Sequence, residues 1–258
     1  MSEELKVAIE AAREAAKIAL EYYKTADRGG ISIKEDNSPV TKADIEAEEI
    51  IKQTILDSFP NSEFISEESE DTTKDFKNVW IIDPIDGTKE YSNGIDLWGI
   101  LIAYALNSEI LLGVAYFPAI DVMVYAERGK GAFLNGKKIT VSKTDDLRIA
   151  FMGYSPIKFF TDIELKKLLL CIKSAGPSRN YSTSFSGYCL ATGKMDLFIS
   201  SMYNKIWDIA PFICIVKEAG GKITDWGGKE LSIRTGSAGV VVSNGILHEE
   251  VMSVLRNE

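Results

Sequence analysis

The stretch from Val79 to Trp98 constrains this chain more than any other: Val-Trp-Ile-Ile-Asp-Pro-Ile-Asp-Gly-Thr-Lys-Glu-Tyr-Ser-Asn-Gly-Ile-Asp-Leu-Trp. Val79 to Ile82 is a short, unbroken apolar run, the pattern of a strand buried on both faces. Pro84 has no N–H and a fixed φ, so the strand is expected to end in a turn there. Such a turn brings Asp83, Asp86 and the Ile85 carbonyl to one side, an all-oxygen donor set suited to a hard divalent cation. Gly87-Thr88 then opens an expected helix, whose free N–H groups and positive dipole end suit a phosphate. Cation ligands and an anion cradle so close together outline a site for phosphoryl transfer. Asp and Gly are also common at caps and turns, so this spacing alone has a purely structural reading as well.

The charge of the whole chain points the same way. A net charge of −9 and the lack of any Lys/Arg cluster argue against a nucleic-acid partner. The same charge would repel a phosphorylated substrate unless bound cations invert the local field, which favours a metal enzyme. Cys171, Cys189 and Cys214 have no C-x-x-C spacing and lie in apolar stretches, as buried thiols of a reducing cytoplasm would. The start Met1-Ser-Glu-Glu-Leu is acidic and lacks a signal-peptide core, and no run approaches transmembrane length. A soluble cytoplasmic protein with no membrane partner is expected.

In chain order, Leu5, Ala8, Ala12, Ala15, Ala16, Ala19 and Tyr23 predict a helix over 3–26, ended by Gly29-Gly30 and packed closely on another helix or a second copy. A loop over Ser38 to Asp44 leads into a helix over 42–58, with Thr41 and Asp44 spaced as a capping box. Phe64 to Ser69 is a strand running into Glu67-Glu68, a pair that by itself suits solvated surface. The polar stretch 70–77 suggests a mobile loop. Two strands, 98–106 and 110–116, flank the hairpin signal Asn107-Ser108, and further strands are expected at 123–126 and within 129–136. Gly129-Lys-Gly131 precedes no helix, which excludes a dinucleotide fingerprint.

The second half alternates: strand 149–154, helix 162–174, helix 184–192, strand 195–200, an apolar helix from Lys205 to Gly220-Gly221, strand 239–243 and helix 247–256. Asp208 falls in the first turn of the apolar helix, where dipole compensation is explanation enough. His248, the single histidine, is expected at a cap or on the surface, so zinc hydrolysis is unsupported. No Walker-type loop is present.

Taken together, W-x-x-D-P-I-D-G-T-K-E-Y and the later W-D-I-A…K-E-A-G-G resemble the two signatures of the inositol monophosphatase superfamily, Mg²⁺-dependent, lithium-sensitive phosphatases. The resemblance covers nearly the whole chain. It implies an α+β fold, a layered α/β/α/β/α sandwich, in an N-terminal half (1–145) and a C-terminal half (146–258) with the site between them. It implies a homodimer. It also implies that Glu67, Asp83, Ile85, Asp86 and Asp208 hold two or three Mg²⁺ ions. Glu67 stands in a segment similar to the family's G-E-E-S, with Ser66 in place of the glycine. Asp44 and Thr88 would then activate water, with Glu67 supporting catalysis as a ligand, and the amides of Gly87 and Thr88 would hold the phosphate.

Substrate contacts are expected from Asp86, Arg179, Thr183, Ser201 and Asp208. Inositol phosphatases carry a glutamate where Ser201 stands, and histidinol phosphatases carry an aspartate where Thr183 stands. The segment Arg179 to Tyr188, with Asp96-Leu-Trp98 and Asn244 to His248, looks more like the histidinol-phosphatase branch than the inositol one, which keeps a histidinol-phosphatase as an alternative. Both losses remove negative charge suited to a cationic substrate, so a neutral polyol or sugar phosphate fits this pair of positions best. The Lys89-Glu-Tyr91 continuation resembles bisphosphate nucleotidases, so a bisphosphatase acting on fructose-1,6-bisphosphate or a nucleotide stays open. Some family members are RNA- or protein-binding regulators. Here every expected ligand is present and no basic face exists, so an enzyme is the expectation.

Overall fold

The computed structural model describes residues 1–25, 28–33, 39–73, 76–235 and 239–256. Helix α1 (Glu3–Tyr23) is capped by Ser2, whose hydroxyl accepts the Leu5 N–H at 3.2 Å. Its alanine face, Ala8 through Ala19, is fully buried and packs closely on α2 (Lys42–Ser58). The expected extension to residue 26 falls partly outside the described residues; the helix itself ends at Tyr23. Ser38 also lies outside them, and the rest of its expected loop contains β2 (Pro39–Thr41), paired antiparallel with β1 (Ile31–Ile33). Residues 74–75 of the expected polar loop are likewise not described.

A seven-stranded sheet takes β3 (Glu63–Ser66), β4 (Asn78–Asp86), β5 (Gly99–Leu106), β6 (Glu109–Phe117), β7 (Val122–Glu127), β8 (Gly131–Leu134) and β9 (Lys137–Ile139) in sequence order. Only β3 and β4 run parallel; the rest is a meander. Asn107 and Ser108 join β5 to β6 with φ of 52° and 69°, the left-handed pair that a two-residue hairpin requires. Strand β4 does not end at Pro84. It continues to Asp86, and its register against β5 slips between Asp83 and Asp86. Such an irregularity accommodates a proline that cannot donate to the ladder.

The second sheet has the order β11 (Ser178–Asn180), β10 (Met152–Tyr154), β12 (Leu197–Ile199), β14 (Val240–Ser243), β13 (Lys222–Asp225). The strand expected over 149–154 is shorter, because Leu147–Ile149 forms a 3₁₀ turn. α1 and α2 cover one face of the first sheet. α5 (Thr183–Ala191) and α6 (Ile206–Glu218) fill the space between the two sheets with the largest core. α4 (Asp162–Ser174) and α7 (His248–Arg256) cover the far face of the second sheet. This is the expected α/β/α/β/α layering. Gly113 on β6 makes the middle layer possible: a Cβ there would lie 2.2 Å from the Pro211 carbonyl oxygen of α6.

His248 departs from expectation. It is 1% exposed, with its ring between the hydroxyls of Ser243 (2.9 Å) and Thr224 (3.1 Å). Burial pushes its pKa down to about 4, so the ring is neutral and structural. No helix among the described residues is long and apolar enough to cross a membrane.

Candidate metal-assisted active site

Three carboxylates meet where β4 ends against the first turn of α6. One oxygen from each of Asp83, Asp86 and Asp208 lies within 4.8 Å of the others. The slip at Pro84 lets Asp83 and Asp86, three residues apart, contribute to one cluster. Asp208 arrives from α6, where its carboxylate also accepts the Lys205 N–H at 2.8 Å. Glu67 is outside that triangle, and its carboxylate lies near enough to Asp83 to push that group's pKa up.

Like charges gathered away from water raise one another's pKa. Burial first, then Glu67, Asp86 and Asp208, push Asp83 well above the usual carboxylate range. Burial, Asp86 and Glu67 do the same to Asp208, against the opposing Lys205 N–H. Asp86 is raised to about 6, chiefly by burial, although the Ser184 hydroxyl donates to it. Asp83 is 2% exposed, and among the described residues its Oδ1 has no hydrogen-bond partner. A buried carboxylate oxygen without a donor, facing further carboxylates, is costly for the polypeptide alone and fits a divalent cation. The Ile85 carbonyl of the same segment accepts the Thr88 hydroxyl at 3.2 Å.

Behind the cluster, Asp44 is 1% exposed at the start of α2, where its Oδ2 accepts both the Thr41 N–H (2.7 Å) and the Thr41 hydroxyl (2.5 Å). Its Oδ1 faces the Thr88 hydroxyl at 3.4 Å, across 44 residues of sequence. The capping role and a link to Thr88 therefore coexist in one side chain. Gly87, at φ 84°, precedes α3 (Thr88–Asn93) in a left-handed conformation that strains any residue with a Cβ.

A cavity of about 410 Å³ opens in front of the cluster. Asp86 and Asp208 line it together with Thr183, Ser201, Asn204 and Phe159. Thr183 donates to the Asn204 side chain at 2.9 Å, and Ser201 is 2% exposed. Arg179 is not among the lining residues: it stands on edge strand β11, exposed, with Nη1 donating to the Ser178 carbonyl at 2.7 Å. A larger groove, about 800 Å³, lies elsewhere between α1 and β7, lined by Glu10, Arg13 and Asp121. It lacks the metal-ligand geometry of the acidic cluster.

Besides the cavity-lining Asn204, two buried residues that brace the cluster were missed from sequence. Ser184, fully buried at the start of α5, clamps Asp86 from 98 residues away, and a serine in a Ser/Thr-rich turn gives no signal of that. Glu48 is 3% exposed and accepts the Glu68 N–H (2.9 Å) and the Ser69 hydroxyl (2.6 Å), fixing the turn that follows Glu67. Its spacing from Asp44, one helical turn along α2, could have marked it as inward-facing.

With this geometry in view, known proteins give a consistent picture. The sequence model of the inositol monophosphatase family matches residues 1–258. A histidinol-phosphatase of Chlorobaculum parvum is 32% identical over 258 residues, covering 100% of this chain and 98% of that protein. A fructose-1,6-bisphosphatase/inositol-1-monophosphatase of Thermotoga maritima is 37% identical over 219 residues, covering 84% and 82%. Among solved structures, the extragenic suppressor protein suhB of Bartonella henselae superposes with a TM-score of 0.90 at 28% identity, covering 99% of both chains.

Proposed function

The chain belongs to the inositol monophosphatase family, and from that premise we propose that it hydrolyses a small phosphate monoester, inositol-1-phosphate or a sugar or polyol phosphate, with Mg²⁺. At the family level it is a phosphatase. The observation that carries the finer reading is the unpartnered Asp83 Oδ1 inside a cluster of carboxylates with raised pKa values. Glu67, Asp83, Asp86, Asp208 and the Ile85 carbonyl would hold two or three ions. Bound Mg²⁺ supplies Lewis acidity toward the phosphoryl oxygens and lowers the pKa of water.

The remaining work falls to the chain's own groups. The Thr88 hydroxyl donates toward Asp44 Oδ1 and turns a lone pair to the attacking water. As the water's oxygen bonds to phosphorus and the P–O bond to the ester oxygen breaks, the water's proton passes to Thr88 and that of Thr88 to Asp44 as general base, and the departing alkoxide takes a proton from solvent. The distance of 3.4 Å is of the kind that shortens when substrate is bound. Amides of Gly87 and Thr88 hold the phosphate, and Thr183 and Ser201 offer hydroxyls to a polyhydroxylated substrate body. Neutral Thr183 and Ser201 disfavour histidinol phosphate. The intact ligand set supports an enzyme over a regulatory binding protein. A homodimer, inhibition by Li⁺ and a cytoplasmic location belong to the same reading; the first two rest on family likeness, and the last is supported by three buried free thiols.

The test is phosphate release with Mg²⁺ from inositol-1-phosphate, histidinol phosphate, fructose-1,6-bisphosphate and 3′-phosphoadenosine-5′-phosphate. One ester should dominate. An Asp83→Asn variant that keeps its circular dichroism spectrum should lose roughly a thousandfold in kcat/KM, the several kcal/mol that metal assistance supplies. A folded variant with full turnover removes the assignment.

A further inference from the structure

Helix α2 carries two buried carboxylates one turn apart on the same face. Asp44, in the first turn, meets Thr88, and Glu48 meets the chain around Glu67. Three donors converge on Glu48. The Glu68 N–H donates to Oε2 at 2.9 Å, while the Ser69 hydroxyl and the Lys52 ammonium donate to Oε1 at 2.6 Å and 2.9 Å. Lys52 also donates to the Ser69 hydroxyl, and its ammonium stands 5.5 Å from the centre of the Phe64 ring. The three residues therefore form a closed ring of charge-assisted hydrogen bonds between α2 and the segment after β3.

That ring does more than satisfy a buried acid. Residues 67–69 form a bend that belongs to neither helix nor strand, so the Glu67 side chain is placed by the ties of its backbone. Two ties flank it. The Glu67 N–H donates to the Ile82 carbonyl at 3.3 Å, next to Asp83 on β4, and the following N–H, that of Glu68, is the one Glu48 holds. Past Ser69 the chain folds back, with the Thr72 N–H donating to the Phe64 carbonyl at 2.9 Å and the Thr72 hydroxyl accepting the Phe64 N–H at 2.8 Å. A small cation that demands near-ideal octahedral geometry is sensitive to slight displacement of a ligand held this way.

We propose that Glu48, charged and paired with Lys52, is a positioning residue that sets the affinity for the cation held by Glu67. One helix, α2, then aligns both the general base and a metal ligand. This rests on the reading of Glu67 as a ligand of the acidic cluster.

Glu48→Gln tests it, because it keeps the volume, removes the charge and turns a donor toward groups that themselves donate. Calorimetry with Mg²⁺ alone compares the wild type, Glu48→Gln, Ser69→Ala and Glu67→Gln. Glu48→Gln should bind Mg²⁺ about tenfold more weakly, as for other partners of metal ligands, and Ser69→Ala should weaken binding by less. In phosphate release from the ester that the wild type prefers, the half-saturating Mg²⁺ concentration of Glu48→Gln should rise by the same factor. Its kcat at saturating Mg²⁺ should return to the wild-type value, a recovery that a damaged fold would not show. Unchanged Mg²⁺ affinity in Glu48→Gln, beside weakened binding in Glu67→Gln, overturns the proposal, and so does a kcat that no Mg²⁺ concentration restores. Unchanged binding in Glu67→Gln removes the ligand reading and the proposal with it. Should Glu48→Gln fail to fold, Ser69→Ala decides: weaker Mg²⁺ binding upholds the proposal and unchanged binding overturns it.

Discussion

The seven-stranded sheet delivers most of its share of the site as one segment, Asp83 to Thr88, with Glu67 from the end of neighbouring β3, whereas the second half delivers Ser184, Ser201, Asn204 and Asp208 from three separate places. In the first case the geometry is local. A bulged strand end and the turn after it set Asp83, Ile85 and Asp86 relative to one another through local backbone geometry. In the second, every group depends on how α5 and α6 lie against the sheets. A site built this way tolerates changes in the first region according to local chemistry and changes in the second according to packing.

The strongest way to break that comparison is Gly113→Ala. Its methyl group would collide with the Pro211 carbonyl oxygen, and backbone cannot swing aside as a side chain can. A loss of about 3 kcal/mol in denaturant unfolding is expected, the upper end of ordinary overpacking. Activity should fall with it, because Asp208 rides on the displaced helix. A normal midpoint with normal activity would mean that α6 is not held by this contact.

Ser184→Ala sharpens the comparison with a smaller effect. It leaves the core intact and removes the donor that lowers the pKa of Asp86. About a tenfold drop in kcat/KM is expected, as for supporting partners of metal ligands. The acidic limb of the pH–rate profile should move to higher pH. An unmoved limb would show that the hydroxyl fills space only.

The smallest effect is thermal. Asp86 binds its proton more tightly folded, at about 6, than its ordinary value of 3.8. The stability this contributes is complete below 3.8 and is lost as pH rises through about 6. Asp83 and Asp208 shift in the same direction. Metal-free protein should therefore melt lower at about pH 7.5 than at about pH 5 through these groups, and Mg²⁺ should raise the melting temperature more at the higher pH. Equal stabilisation by Mg²⁺ at both pH values would place its binding away from the cluster.

The same division explains what could be read from the chain beforehand. Long apolar strands joined by a two-residue hairpin declare themselves, so most of the first sheet and both of its helices were expected with bounds within a few residues. The strands of the second sheet are three or four residues long, too short for alternation to register, and β11 and β13 escaped notice. Pro84 misled in the other direction, since a proline ends a regular strand but not one with a register shift. Asp83, Asp86 and Asp208 were legible through two signatures. Ser184 was not, because a serine that serves a neighbour across the fold looks like any other, and Glu48 left only the weak signal of its helical spacing from Asp44. His248 begins the last helix as expected, but its burial was not legible, because polarity suggested a cap or the surface and its two hydroxyl partners lie 5 and 24 residues away.

The burial of His248 has a consequence for the molecule's proton balance. Histidine and cysteine are the side chains that ordinarily exchange protons nearest neutrality. Here the one histidine is pushed to about 4, and the three thiols are pushed to about 11 or 12. The usual buffering groups of a protein are thus silenced around pH 7, and the carboxylates of the acidic cluster titrate against a quiet background. Protons released when a cation enters are then not confused with histidine or thiol ionisation, so a comparison of binding heats in two buffers reports chiefly on that cluster.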